Sequence, residues 1–129
     1  NKPPMAIVNN FKTDLNHTVI NPDYIDSVSV SKDSSFITKY GKEAQYGIIM
    51  VYVSKKAEML QLADILKIYN LTEKGNNLKV CLKTKWVKNP SIIYIDKSKL
   101  MNVEIIQNGS EVTTDDGFSA EPYIKITTN

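Results

Sequence analysis

An α+β fold, with a mixed β-sheet and one principal helix, is predicted by three features of the sequence. Several short segments alternate apolar and polar residues with the period of a half-buried strand. One run, Ile48 to Val53, is apolar on both faces, as suits a central strand buried on two sides. A single stretch, residues 57–69, carries an apolar stripe at helical spacing.

The elements follow in chain order. Asn21 before Pro22 fits the start of a short helical turn, because Asn caps well and Pro is tolerated in a first turn. Ser27 and Ser29 alternate with Val28 and Val30, which predicts a half-buried strand. Ser34 and Ser35 are placed to cap a short helix through Phe36, Ile37 and Tyr40, which Gly41 ends. Gly47 opens the apolar run of Ile48, Ile49, Met50, Val51, Tyr52 and Val53.

Within 57–69, Met59, Leu62, Ile65, Leu66 and Tyr69 share one side, and Glu58, Gln61, Asp64 and Lys67 the other. Ser54 is the candidate cap, and Gly75 with Asn76-Asn77 marks the following loop. Leu78, Val80 and Leu82 alternate with Lys79, Cys81 and Lys83 in a strand with one wet face. Residues 92–95 and 101–106 are further strands. Asn108-Gly109 reads as a hairpin turn reaching Val112, and Thr114 to Gly117 as a polar loop. Tyr123 to Thr127 closes the chain as a last strand.

Composition narrows the function classes. The chain has 129 residues, 42% hydrophobic and 23% charged, close to the globular average, so one core and a single compact domain over 1–129 are expected. A net charge of +2, with scattered lysines, argues against a nucleic-acid partner. No apolar run approaches the ~18 residues of a membrane-spanning helix. The lone Cys81 rules out an intramolecular disulfide.

The stretch from Asn21 to Lys56 resembles the late part of the plug domain of TonB-dependent outer-membrane receptors. The matching pieces are Asn21-Pro22, the alternating Ile25, Val28 and Val30, and then Lys32-Asp33-Ser34-Ser35. Tyr40-Gly41, Ala44, the strand from Gly47 to Val51 and the closing Lys55-Lys56 follow in the family's order. The resemblance implies a Gram-negative cell-envelope protein, periplasmic or outer-membrane associated, whose signal sequence has been removed. It does not extend to transport. A twenty-two-stranded barrel at roughly ten residues per strand exceeds this chain. The family's closing Ile-Thr-Thr-like strand is here Met50-Val51-Tyr52, and no TonB-contacting segment precedes it, so energy coupling is not implied.

A repeat with an offset of 75 residues organises the apolar positions. Ile7 falls on Leu82, Phe11 on Trp86 and Ile20 on Ile95. Ile25, Val28 and Val30 fall on Leu100, Val103 and Ile105, and Ile49 and Val51 on Ile124 and Ile126. Two plug-like segments, 5–54 and 80–129, would then flank the helix at 57–69. They would either share one sheet or pack as two small lobes.

Catalytic chemistry finds little footing. His17 is the only histidine, in a polar loop, and one imidazole with one thiol makes no multi-ligand metal site. A Cys81–His17 pair is the nearest approach to a nucleophile, with Lys79 and Lys83 sharing the cysteine's face; a plain strand cysteine near a sheet edge is the simpler reading. Asp14, Asp23, Asp26 and Asp33 lie where aspartates cap turns. Asp115-Asp116-Gly117 lacks the spaced oxygen ligands of a calcium loop. Phosphate-binding, dinucleotide and nucleophile-elbow motifs are missing. No catalytic residue, metal or cofactor is therefore assigned.

Binding remains. The first expectation is a non-enzymatic envelope module that contacts a protein partner through a sheet edge or loop. The second is a carrier holding a lipid or other amphiphile between helix and sheet. Candidate ligand-binding residues are Met59, Leu62, Leu66 and Tyr69 on the helix, with Tyr52 and Trp86. A filled core with an exposed apolar patch would favour the first.

Overall fold

A computed structural model of the chain describes residues 4–107 and 121–129. Eleven strands appear among them: β1 (Met5–Val8), β2 (Phe11–Asp14), β3 (Thr18–Val19), β4 (Ile25–Ser31), β5 (Ile48–Val53), β6 (Met59–Leu60), β7 (Lys79–Leu82), β8 (Lys85–Trp86), β9 (Tyr94–Asp96), β10 (Leu100–Ile106) and β11 (Tyr123–Thr128). Two α-helices join them, α1 (Ser35–Tyr40) and α2 (Leu62–Ile68). The fold is α+β, with mixed sheets.

The strands form three sheets, ordered β2-β1-β5-β4, β10-β11-β7-β8 and β3-β9-β6. In the first, the parallel β1/β5 pair is flanked by antiparallel neighbours, and in the second β7/β11 takes that central place. The third is short and ties the halves together: β3 pairs with β9, and β9 with β6.

The two four-stranded sheets correspond position by position. Ser27 faces Tyr52 and Ser31 faces Ile48; Asn102 faces Thr127 and Ile106 faces Tyr123. Each of these residues has its counterpart 75 positions along. Both outer strands carry a register shift at the same place, between Ile25 and Ser27 and between Leu100 and Asn102. The Asn9 N–H donates to Val51 O at 3.0 Å and the Lys83 N–H to Ile126 O at 3.0 Å, both donors in left-handed backbone.

Local side-chain chemistry explains the turns between strands. Asp14, Asn21, Asn89 and Asp96 each accept from the N–H two residues on, opening a 3-10 turn. Asp14 and Asn89 are 75 residues apart, as are Asn21 and Asp96. Asn9 and Asn10, at φ 46° and 73°, make the β1–β2 hairpin turn, where both central residues need positive φ. Asn9 also clamps β5: its Oδ1 accepts from Val53 N–H at 2.8 Å, and its Nδ2 donates to Val53 O at 3.2 Å.

Several expectations shift. The helix spans 62–68, not 57–69, because Met59 and Leu60 are drawn out to pair with Asp96 and Ile95 of β9. Its start is set by Asp64, which accepts from the Gln61 N–H at 2.9 Å, instead of by Ser54. Its end is set by Asn70 at φ 57°, with Leu71 N–H bonded to Leu66 O and Asn70 N–H to Lys67 O, a Schellman arrangement. Asp33 Oδ1, not a serine, accepts at the start of α1, from the Ser35 N–H at 2.9 Å. Those bonds from Ser35 hold the Asp33 carboxyl below the usual carboxylate range.

Residues 92–95 are split. Asn89 and Pro90 set a 3-10 turn over Pro90–Ile92, so the strand begins at Tyr94. Strand β7 has no wet face beyond Lys79, since Val80, Cys81 and Leu82 are all buried. Its neighbours β11 and β8 put it inside the sheet, away from the edge. The turn at Asn108-Gly109 and the loop at 114–117 fall outside the described residues.

The core has three parts. The largest gathers Ile65 and Leu66 of α2 with Val80, Leu82, Val103, Ile124 and Ile126 of the second sheet and Ile93 and Ile95. A second lies under α1, where Phe36, Tyr40 and Ala44 cover Met5, Ile7 and Ile48. A third, on the opposite face of the first sheet, joins Ala6, Val8, Val51 and Val53 to Ile20, Tyr24, Ala57, Met59 and Tyr94. Burial of Tyr94, with a contribution from Asp64, raises its phenol pKa; burial does the same to Tyr123, aided by Cys81 and Glu104.

Candidate functional site

The surface that stands out is one face of the first sheet at its outer strand. Residues two apart on a strand share a face, so Val28 and Val30 point the same way. Their cross-strand partners are Val51 and Ile49, which in turn face Val8 and Ala6 of β1. These six side chains form one apolar face across three strands. At the centre it is closed, with Ala6, Val8 and Val51 buried. At β4 it opens: Val28 is 55% exposed and Val30 69%. Ser27, Ser29 and Ser31 occupy the other side of β4, so the valines are not where a simple inward-facing reading of IDSVSVS puts them.

Strand β4 is also an edge, hydrogen-bonded to β5 on one side only in the strand order. Natural edges are usually guarded by lysine, proline or a bulge along the strand. Here the strand has seven residues, Asp26 as its one charge, and a register shift confined to its start. The stretch from Val28 to Ser31 is left long, uncharged and apolar on one face.

A concavity lies elsewhere on the molecule. A cleft of about 710 Å³ runs between Asp14–Val19 and the β7–β8 hairpin, with Trp86 and His17 in its wall. His17 is buried here instead of lying in an open loop. Its Nδ1 is 2.6 Å from Asp14 Oδ1, and its Nε2 accepts from the Asn89 N–H at 3.3 Å. With a carboxylate on one nitrogen and a backbone donor on the other, Nδ1 serves as the ring's donor and Nε2 as its acceptor. Neither nitrogen is left to take a proton from a nucleophile. Cys81, fully buried, directs its Sγ toward Lys83 O at 3.5 Å. The pair therefore lacks the hydrogen bond that activation of the thiol requires.

The six candidate ligand-binding residues do not converge. Leu66 is buried in the largest core, and Leu62 and Tyr69 pack against it. Met59 sits in β6 and belongs to the core beneath the first sheet. Tyr52 is 48% exposed on β5. Trp86 packs edge-on against Tyr123, ring centres 4.9 Å apart, with Lys79 Nζ 5.5 Å above its ring. Packing under the helix is tight: a Cβ at Gly75 would stand 2.9 Å from Leu71 O and 3.2 Å from Leu66.

Two features of the halves' contact escaped the sequence reading. Asp96 is fully buried, taking bonds from Ser98 N–H and Oγ–H at 2.9 Å each and from the Asn21 N–H at 3.1 Å. Thr13 Oγ1 donates to Ile92 O at 2.6 Å. The offset of 75, applied to polar positions as well as apolar ones, would have flagged Asp96 through Asn21.

Among the described residues there is no cluster of three or more His, Cys, Asp or Glu able to hold a metal ion, and no helix long and apolar enough to cross a membrane. No protein-family model, curated protein or solved structure matches this chain.

Proposed function

We propose that the chain is a non-enzymatic binding module of the Gram-negative cell envelope, built on a plug-like unit without a barrel, which contacts a protein partner through the β4 side of its first sheet. The observation that carries this reading is the exposure of Val28 and Val30 on an edge strand with little to guard it. Such a surface is stabilised when covered, since apolar area removed from water contributes about 25 cal/mol per Å². A partner can also pair with the free backbone of the strand.

The resemblance of residues 21–56 to the plug domain supplies the compartment. That stretch forms one contiguous strand–helix–strand, β4–α1–β5, which is compatible with a plug-like unit. We read the chain further as two such units, because strand order, register and turn chemistry recur 74 or 75 residues apart. The protein-contact reading is preferred over an amphiphile carrier because the stripe of α2 packs directly on the second sheet, with Leu66 and Ile124 crowding Gly75.

Native mass spectrometry of protein purified from its own envelope tests the assignment. The wild type is expected to carry an envelope protein that the Val28→Lys/Val30→Lys variant, melting at the same temperature, has lost. Equal association in both would overturn the assignment of the surface. A stoichiometric amphiphile released on denaturation, with no protein partner, would move the assignment to the carrier.

A further inference from the structure

The second sheet carries the same apolar face as the first, at equivalent positions. Val103 and Ile105 of β10 face Ile126 and Ile124 of β11, which face Leu82 and Val80 of β7. These six residues stand where Val28, Val30, Val51, Ile49, Val8 and Ala6 stand in the first sheet. The exposures nevertheless differ sharply at the outer strand. Val103 is 4% exposed, against 55% for Val28.

The cause is α2. Ile65 and Leu66 belong to the same cluster as Val80, Leu82, Val103, Ile124 and Ile126, with Ile105 packed against it. Leu66 and Ile124 both come within 3.2 Å of a Cβ built at Gly75, which places helix, following turn and sheet face in direct contact. The second sheet's face is thus roofed by an amphipathic helix that lays two adjacent aliphatic side chains across it. The first sheet receives instead Ile20, Tyr24, Ala57, Met59 and Tyr94, which close its centre and leave the β4 margin bare.

We propose that the β4 face of the first sheet is a docking site for an amphipathic helix of the α2 kind, seated over Val28, Val30 and Ile49 as α2 sits over Val103, Ile105 and Ile124. This rests on the protein-contact reading above and names the chemistry of the partner. The recognition is that of a helix laid in an apolar groove, anchored by residues at i, i+3 and i+4. Leu62, Ile65 and Leu66 have that spacing in α2. The face offers no charged side chain among its six residues to select for polarity, so the aliphatic stripe supplies the binding energy.

The probe is a synthetic peptide of residues 58–78, titrated into the whole chain carrying ¹³C-labelled Ile, Leu and Val methyls. Saturable shifts confined to Val28, Val30, Ile49 and their neighbours are expected. Val28→Lys/Val30→Lys should weaken binding tenfold or more, and a peptide with Ile65→Ser and Leu66→Ser should not bind. Because a free short helix is marginal in water, the same segment is also fused ahead of residue 1 through a Gly/Ser linker, which raises its effective concentration to the millimolar range.

Val28 and Val30 methyls that remain solvent-exposed in both experiments would overturn the proposal. So would shifts at Val103, Ile105 and Ile124, which would mean the peptide merely exchanges with α2. Self-association of the chain that shields Val30 without peptide would assign the face to a second copy. An envelope partner bound at Val30 through an extended strand would overturn the helix while leaving the protein-contact reading intact.

Discussion

The Asn21 backbone N–H donates to Asp96 Oδ2 at 3.1 Å, so two residues at equivalent positions of the two halves are bonded to each other. Both also open a 3-10 turn with the same side-chain bond to the N–H two residues on. Asp96 does the more demanding work, because it is fully buried and serves three donors. Asp96→Ala is expected to cost about 2–4 kcal/mol, the loss of a cap plus stranded buried donors. Asn21→Ala is expected to cost about 1 kcal/mol. Urea unfolding of both variants checks the ranking, and equal costs would remove Asp96 from its role at the junction.

The asymmetry between equivalent valines predicts an asymmetry in stability. Val103→Ala should cost about 1.5–3 kcal/mol, for two lost methyls and the cavity they leave. Val28→Ala should change stability by no more than about 0.5 kcal/mol, as an exposed substitution. Chemical denaturation of the isolated protein measures both, and a large cost at Val28 would show that its face is already covered.

Two turn residues in left-handed backbone should respond in opposite senses. Lys83, at φ 61°, has a side chain that disfavours that conformation, so Lys83→Gly is expected to raise stability by up to about 1 kcal/mol. Asn9→Gly should lower it by about 1–2 kcal/mol, because the two bonds to Val53 disappear. Thermal melts of the two variants give the signs directly.

Alkaline pH should titrate the two phenols that packing shifts. Tyr94 and Tyr123 ionise above the ordinary value of 10.0 in the folded chain. The folded state therefore holds these protons more tightly than the unfolded state. That contribution is fully present below pH 10 and is lost as pH rises through the folded values. Stability is expected to fall above about pH 10, with a shallower fall in Tyr123→Phe, followed by denaturant midpoints across pH 8–12.

Much of the architecture was legible where local chemistry and packing agree. Gly41 and Gly47, both at positive φ, bracket the segment between α1 and β5 as expected, and Ile48–Val53 is a central strand. The α+β class followed from periodicity alone. Residues 57–61 misled because their helical spacing is overridden by an open edge on β9, which takes Met59 and Leu60 into a sheet. Val28 and Val30 misled differently. Alternation tells which residues share a face, but not whether anything covers that face. Covering depends on α2, and α2 chooses the second sheet. His17 and Asp96 were hidden for a related reason: beyond their local partners Asp14 and Ser98, each is also bonded to a residue 72 or 75 positions away, Asn89 and Asn21, which no local pattern reveals.

The measurement closest to the central claim is in-cell photo-crosslinking from a benzoylphenylalanine placed at Val30, with the same group at Ile68 as control. Ile68 is 47% exposed on α2, away from the β4 face. A discrete envelope-protein adduct is expected from position 30, none from position 68, and loss of the adduct when Val28 is also changed to lysine. Equal labelling from both positions, or none from position 30 in cells that express the folded protein, would contradict it.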